Sequence, residues 1–195
     1  MVKGIDLKLK DADVWYFPNL FNEEESNFYF NNLLHNTTWQ QDHITVFGKA
    51  YKQPRLTALY ASNKNHYSYS NITMYPHVFT KDLLEIKYKI ETVIDKNFTT
   101  CLLNLYRNGQ DSNGWHADNE KELGKNPVIA SVSFGANRMF NLKHRYDKDL
   151  KHKLVLEHGS LLIMKGVTQH FWLHQIPKTK KKVEARINLT YRIIK

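Results

Sequence analysis

The second half of this sequence is a run of short segments in which apolar and polar residues alternate, and this run constrains the fold more than any other feature. Turn-forming residues such as Asn108-Gly109, Gly135 and Pro177 separate the segments. The pattern predicts eight strands, over residues 101–106, 115–118, 128–134, 138–143, 153–156, 160–164, 170–174 and 184–194. Eight short strands in one run are typical of a jelly roll.

The first half of the sequence predicts two helices instead. Asn22, followed by three glutamates that end at Glu25, has the residues of a capping box, and a helix should continue to about Leu34. Apolar residues recur at helical spacing between Thr80 and Lys96, which predicts a second helix. We expect one domain over residues 1–195, with the helices in 1–98 and the jelly-roll core in 99–195.

The charge and cysteine content narrow the class of protein. A formal net charge of +9 favours a polyanionic partner, most simply nucleic acid. The single cysteine, Cys101, rules out a disulfide framework and fits a reducing compartment. No signal peptide and no apolar run long enough to span a bilayer are found. We therefore expect an intracellular protein without a membrane partner, cytoplasmic in a prokaryote or nuclear in a eukaryote.

The last predicted strand carries an unusual polar face. Arg186, Asn188, Thr190 and Arg192 alternate with apolar residues, so they share one side of the strand. The Cα atoms of the two arginines should lie roughly 20 Å apart, and two long side chains that lean together would leave the span of a small dicarboxylate. Arginine is suited to forked capture of a carboxylate. The alternative is an exposed edge strand whose cations are solvated.

A second set of residues predicts a metal site. His116 and Asp118 are two residues apart on a predicted strand, and His174 from a distant strand would complete a two-histidine, one-carboxylate face. Such a face leaves positions open on Fe(II). Asn104 and Tyr106 form a similar inward pair that would hydrogen-bond a cosubstrate carboxylate. Ordinary polar pairs without a ligand remain the alternative for both sets.

The order of these segments resembles the AlkB family of Fe(II)- and 2-oxoglutarate-dependent nucleic-acid dealkylases. The resemblance covers about residues 45 to 195 and is carried by six segments, which are Asn104-Leu-Tyr-Arg-Asn-Gly-Gln-Asp111, Trp115-His-Ala-Asp-Asn-Glu120, Ser131-Val-Ser-Phe-Gly135, His158-Gly-Ser-Leu-Leu162, Trp172-Leu-His174 and Arg186-Ile-Asn-Leu-Thr-Tyr-Arg192. It implies an α+β fold with a double-stranded β-helix (jelly roll) core, two supporting N-terminal helices and a nucleotide-recognition lid. The implied cofactors are Fe(2+), 2-oxoglutarate and O₂.

The resemblance also implies a role for individual residues. Iron would be bound by His116, Asp118 and His174, and 2-oxoglutarate by Asn104, Tyr106, Arg186, Asn188 and Arg192. Residues 53–60 resemble the family's nucleotide-recognition lid, and Arg55 and Tyr60 in this segment would bind the substrate. A flipped base would stack on His116 together with Tyr60 or Trp115, and Glu120 would contact its exocyclic amine. Asn119 and Ala61 stand where the family has Asp and Gly, so base preference and the lid turn are in doubt.

Two further features resemble parts of family members that act on duplexes. Phe47 lies at a hairpin tip like the one those members use as an apolar wedge in the base stack. Lys178, Lys180, Lys181 and Lys182 occupy the position of a loop that grips the DNA backbone. A plain core residue and a solvated loop are the alternatives.

The expected function is therefore oxidative demethylation of N-alkylated bases, such as 1-methyladenine and 3-methylcytosine, in single- or double-stranded DNA. The protein is expected to act as a monomer. RNA demethylation, a catalytically silent nucleic-acid-binding module and an oxygenase acting on protein or small molecules are the competing hypotheses.

Overall fold

The computed structural model describes residues 3–46, 48–62, 67–69 and 72–194. Within these ranges the chain forms three α-helices and one short 3₁₀ helix, which are α1 (Glu23–Asn36), α2 (Lys81–Glu91), α3 (Thr168–Phe171) and the 3₁₀ helix Lys121–Leu123. The strands are β1 (Ile5–Asp6), β2 (Asp13–Phe17), β3 (His43–Val46), β4 (Lys49–Lys52), β5 (Leu56–Ala61), β6 (Tyr67–Tyr69), β7 (Ile72–Met74), β8 (His77–Val78), β9 (Thr100–Tyr106), β10 (Asn113–His116), β11 (Ile129–Gly135), β12 (Arg138–His144), β13 (Lys151–Leu156), β14 (Ser160–Lys165), β15 (Trp172–Ile176) and β16 (Arg186–Arg192).

Two sheets make up the core and confirm the expected jelly roll. The major sheet has the strand order β1-β2-β14-β11-β16-β9-β5-β8, and the minor sheet has the order β10-β15-β12-β13. Strands β2 and β5 from the first half of the chain pair with β14 and β9, so the N-terminal residues complete the major sheet. The patterns above did not predict β2, although its Val-Trp-Tyr-Phe run has the β-branched and aromatic residues of a strand.

The first helix follows the sequence closely. Asn22 and Glu25 form both hydrogen bonds of the predicted capping box, and α1 continues two residues beyond Leu34. The second helix begins after the Thr80 cap but ends at Glu91, five residues earlier than predicted. The Glu91 carboxylate accepts a hydrogen bond from the backbone N–H of Phe98, which fixes the chain as it turns toward β9.

The closing strand separates two apolar cores. Ile187, Leu189 and Tyr191 of β16 join the core between the major sheet and the helices. Their polar neighbours, Arg186 to Arg192 in alternate positions, are buried on the other side, inside the jelly roll. Because β16 lies between β11 and β9, the solvated edge-strand alternative is wrong.

Most of the segment that resembles a lid, residues 53–60, belongs to the core, and two hairpins lie outside the two main sheets. Residues 56–60 of the predicted lid belong to β5 in the major sheet. Strands β3 and β4 pair as a separate hairpin, and so do β6 and β7. Phe47, the predicted wedge, lies outside the described residues.

None of the described helices has the length and apolar content needed to cross a membrane.

Candidate functional site

Two histidines and one aspartate meet at one end of the jelly roll. His116 at the end of β10 lies opposite His174 of β15 in the strand register. Their ligand atoms and those of Asp118 all lie within 4.8 Å of one another, so the three predicted metal ligands come together. The predicted local structure was wrong in two places. Strand β10 ends at His116, which leaves Asp118 in the following loop, and residues 168–171 form the short helix α3.

Asp118 reaches the site because two other elements hold it there. Its backbone N–H donates to Oε1 of Gln169, a buried residue of α3, at 2.9 Å. Its carboxylate forms a buried ion pair with Arg192 of β16. Burial alone would raise the pKa of Asp118, but the neighbouring Arg192 and the two histidines outweigh it and hold that pKa below its usual value. The carboxylate is therefore ionised at neutral pH.

The histidines are held neutral, which is the state that binds a metal. Burial lowers the pKa of His174 to about 3, with a further contribution from His116. Burial also lowers the pKa of His116, although Asp118 opposes the change. Nδ1 of His116 lies 2.8 Å from the Gly114 carbonyl oxygen, which assigns the proton to Nδ1 and leaves Nε2 as the acceptor. The Asn113 amide contacts that Nε2 at 3.2 Å.

An arginine with unused hydrogen-bond donors lies in the same interior. The side chain of Arg186 is fully buried, and its Nη2 donates to the Ser133 hydroxyl at 2.8 Å. Among the described residues its Nε and Nη1 have no hydrogen-bond partner. The guanidinium also lies over the ring of Tyr106, 5.3 Å from the centroid. Burial lowers the pKa of Arg186 to about 10, so the group remains a cation at neutral pH.

The remaining predicted cosubstrate residues line a small interior cavity between the histidines and β16. Asn104, Tyr106, Asn188 and Arg192 all contribute to its wall. The cavity has a volume of about 30 Å³. A cavity that binds benzene measures about 150 Å³, so a dicarboxylate can enter here only if the lining side chains move.

A larger cavity opens at the mouth of the site. It has a volume of about 210 Å³ and is lined by His116, Trp115, Arg55 and their neighbours. Arg55 is buried there, and its Nε donates to the Asn104 side-chain oxygen at 2.8 Å. Arg55 thus connects the cavity at the mouth with a predicted cosubstrate residue inside.

One predicted substrate residue, Tyr60, lies away from the mouth. Tyr60 is buried among the helix-side core residues, 5.4 Å from the His77 ring, because it faces the outer side of β5. This position does not bring its ring to His116, so of the two stacking candidates only Trp115 lines the mouth. Glu120 is half-buried at the start of the 3₁₀ helix, two residues beyond Asp118.

The predicted lysine loop is exposed, and hydrogen bonds attach it to the turn after β9. Thr179 donates its backbone N–H to the Gly109 carbonyl at 2.8 Å, and a Cβ added at Gly109 would lie 2.6 Å from the Thr179 carbonyl oxygen. Arg138, which the sequence patterns did not single out, donates to the carbonyls of Asn108, Asp111 and Pro177 on both sides of this contact. Its inward position on β12, in phase with Phe140 and Leu142, is the signal that could have identified it.

Comparisons with known proteins agree with this geometry. Residues 13–192 match the family model of the 2OG-Fe(II) oxygenase superfamily. The chain is 40% identical to the cattle (Bos taurus) protein named alpha-ketoglutarate-dependent dioxygenase alkB homolog 3, over 91% of this chain and 64% of that protein. The human (Homo sapiens) protein of the same name is 38% identical, over 93% of this chain and 66% of that protein.

A plant relative and a solved structure extend the comparison. The chain is 35% identical to the Arabidopsis thaliana protein named DNA oxidative demethylase ALKBH2, over 98% of this chain and 69% of that protein. A solved structure described as "The structure of OsALKBH1" is similar in fold, with a TM-score of 0.67 and 17% identity over 98% of this chain and 100% of that chain. The chain spans about two-thirds of the length of the curated relatives it matches.

Proposed function

Because this chain belongs to the AlkB family of the 2OG-Fe(II) oxygenase superfamily, we propose that it is an oxidative demethylase of N-alkylated bases in DNA, of the 1-methyladenine and 3-methylcytosine type. One observation carries the proposal. Among the described residues, two nitrogens of the buried Arg186 guanidinium, Nε and Nη1, have no hydrogen-bond partner, and they lie in the same interior that holds His116, Asp118 and His174. A carboxylate-binding cation next to an iron-type face is what 2-oxoglutarate-dependent chemistry requires.

The metal-binding residues fit Fe(II). Two neutral imidazoles and one ionised carboxylate would hold the ion, and three protein ligands would leave positions for 2-oxoglutarate and O₂. Cys101, the one cysteine of the chain, is buried in the helix-side core, so thiolate ligation plays no part. The Asn113 amide beside His116 would turn away when a metal takes Nε2.

The predicted cosubstrate residues have the chemistry to bind a dicarboxylate, but the cavity between them is smaller than 2-oxoglutarate. Arg186 has two donor nitrogens, Nε and Nη1, to offer to the distal carboxylate, and Tyr106 and Asn188 lie beside it. At the other end Arg192 pairs with Asp118 and could share its charge with the keto-acid end. The 30 Å³ cavity therefore has to widen as 2-oxoglutarate enters.

The cavity at the mouth suits an extruded base. His116 and Trp115 provide flat surfaces on which the base can stack, and the buried Arg55 closes the wall toward the cosubstrate. When bound, iron, 2-oxoglutarate and O₂ supply oxidation of the N-alkyl carbon, which leaves as formaldehyde. The buried Asp118 and His174 help to exclude bulk water from that step.

DNA is favoured as the substrate for two reasons. The plant relative is named a DNA oxidative demethylase, and the formal net charge of +9 suits a phosphate backbone. We extend the proposal to duplex DNA because of the resemblance of the Phe47 hairpin to a wedge and of the lysine loop to a backbone grip. We also propose that the protein is a monomer. It would work inside the cell, in the nucleus if the source is eukaryotic.

The test is a direct assay of demethylation. The protein is incubated with Fe(II), 2-oxoglutarate, ascorbate and an oligonucleotide that carries 1-methyladenine or 3-methylcytosine, and the base mass is followed. We expect loss of one methyl group from DNA, and no loss with the His174→Ala variant, which lacks one iron ligand. Parallel arms with single-stranded DNA, duplex DNA and RNA decide the substrate. Activity on RNA alone would overturn the DNA assignment, and no activity in any arm with iron bound would favour a silent binding module.

A further inference from the structure

The outer face of the minor sheet is unusually basic. Alternate residues of β12 and β13 point outward, and the strand register places Lys143 opposite Lys151, Asn141 opposite Lys153, and Met139 opposite Val155. Lys151, Lys153 and Val155 are exposed. This surface, named here the outer face, therefore carries three cations side by side on two neighbouring strands.

The outer face reaches the mouth of the site at one end. Nζ of Lys143 lies 4.4 Å from the centroid of the Trp115 ring, and Trp115 is 40% exposed. A groove of about 120 Å³ lies here, between Trp115 and the lysines of β12 and β13. Since Trp115 also lines the mouth cavity together with His116, the groove and the mouth share one wall.

The outer face reaches the lysine loop at its other end. A cavity of about 340 Å³ is lined there by Met139 and Val155 together with Lys178, Thr179 and Lys181. Arg138 and the Thr179–Gly109 hydrogen bond attach this loop to the turn after β9. The two cavities thus mark the ends of one continuous band that runs from the lysine loop to the mouth.

The charges along this band are of one sign. Among the described residues that line the two cavities there is no Asp or Glu. Within the described part of the chain, Lys143, Lys151, Lys153, Lys178 and Lys181 form no ion pair with an acid. Cations without internal partners, beside an exposed aromatic ring, complement a single-stranded nucleic acid, which offers phosphates and stackable bases.

We propose that the outer face binds the nucleic-acid strand next to the base that enters the mouth cavity. The phosphates follow Lys143, Lys151 and Lys153 toward the lysine loop. The base adjacent to the extruded one stacks on the groove side of the Trp115 ring, and the extruded base uses the mouth side. This assignment rests on the proposed function for its substrate class, but it concerns binding alone and needs neither iron nor 2-oxoglutarate.

The test measures binding of an unmodified single-stranded DNA oligonucleotide to the whole chain by fluorescence anisotropy at several salt concentrations. In one variant Lys143, Lys151 and Lys153 are all changed to Gln. In the matched control Lys3, Lys10 and Lys96, which are exposed and line neither cavity, are changed to Gln, so the loss of net charge is equal. Thermal melting of both variants checks that they remain folded.

We expect the outer-face variant to bind about tenfold more weakly or worse. The slope of log K against log salt should become shallower by about 2, because each lost phosphate contact contributes about 0.7 on a single strand. The control should change its dissociation constant less than about twofold. Equal losses in the two variants would overturn the proposal, since they would assign the effect to net charge.

A competition arm separates nucleic acid from other polyanions. Polyglutamate matched in charge to the oligonucleotide should displace it poorly, because it has no bases to stack on Trp115. Equal displacement would assign the outer face to acidic protein segments instead. Because the assay needs no turnover, loss of the proposed demethylation with binding intact, and loss of binding with demethylation intact, are distinguishable results.

Discussion

At the scale of single residues, the two arginines of the closing strand differ in whether they have a carboxylate partner. Arg186 is buried beside a serine hydroxyl and a tyrosine ring, and within the described part of the chain it forms no ion pair with a carboxylate. A buried cation of this kind is costly unless a ligand completes its hydrogen bonds. Arg192 differs because it already neutralises Asp118. The two arginines of one strand therefore have different tasks.

The Arg186→Lys variant should bind 2-oxoglutarate about tenfold to a hundredfold more weakly. Lysine keeps the charge but loses the forked donors, and a hydrogen bond to a charged group contributes about 1.5–3 kcal/mol. Calorimetric titration with Mn²⁺ in place of Fe(II) measures the dissociation constant without turnover. Arg145→Lys, at an exposed position, is the matched control and should leave the constant unchanged. An equal affinity of both variants would remove Arg186 from the cosubstrate site.

At the scale of elements, two helices support the sheet that carries the site. Helix α1 packs on β11 and β16, the strands that hold Ser133 and Arg186. Tyr191 of β16 donates its hydroxyl to the Leu83 carbonyl of α2 at 2.7 Å. Lys89 of α2 pairs with Glu25 of α1 and joins the two helices. The stability of these helices is thus coupled to the strand that faces the metal.

The Asn22→Ala variant should lower the free energy of unfolding by about 1 kcal/mol, the usual effect of removing an N-cap. Asn22 accepts from Glu25 N–H at 2.9 Å, and alanine cannot replace that acceptor. Urea denaturation followed by circular dichroism measures the change. Asn31→Ala, at an exposed position within α1, is the control and should be neutral or slightly stabilising because alanine favours helix. Similar losses in the two variants would contradict a role for the cap.

At the scale of the whole molecule, the interior carries an excess of positive charge. Within the described residues, Arg55, Arg138, Arg186 and Arg192 are buried around the jelly roll with Asp111 and Asp118. Asp111 already pairs with Arg107 and Asp118 with Arg192, so within the described residues Arg55, Arg138 and Arg186 form no ion pair with a carboxylate. The ligand-free fold is therefore incomplete electrostatically, and the cosubstrate should stabilise it.

Saturation with 2-oxoglutarate and Mn²⁺ should raise the melting temperature by roughly 5–10 °C. At a concentration a hundred times the dissociation constant, a ligand that binds only the folded state contributes about 2.7 kcal/mol. For a chain of this length, each kcal/mol shifts the midpoint by about 2–4 °C. Differential scanning fluorimetry measures the shift, which should shrink in Arg186→Lys at the same concentration. An unchanged midpoint in the unaltered protein would mean that no such site is completed.

Alternation in the sequence was enough to show which side chains of the closing strand share a face. Arg186, Asn188 and Arg192 alternate with Ile187, Leu189 and Tyr191, and alternation alone assigns two faces to a strand. The capping box at Asn22 and Glu25 is equally local, so it too could be predicted. Which face was buried, and the central place of β16 in its sheet, were not contained in that pattern.

How distant residues meet depends on the tertiary structure. Asp118 lies beyond the end of its strand and is brought to His174 by Gln169 and Arg192, a position no period in the sequence predicts. Tyr60 and Trp115 are equal candidates for stacking in the sequence, but Tyr60 on β5 faces the helix-side core and Trp115 on β10 lines the mouth. The basic outer face likewise depends on the register of β12 and β13. Register, sheet order and loop course arise from contacts between residues far apart in the chain, whereas periodicity reports only on neighbours.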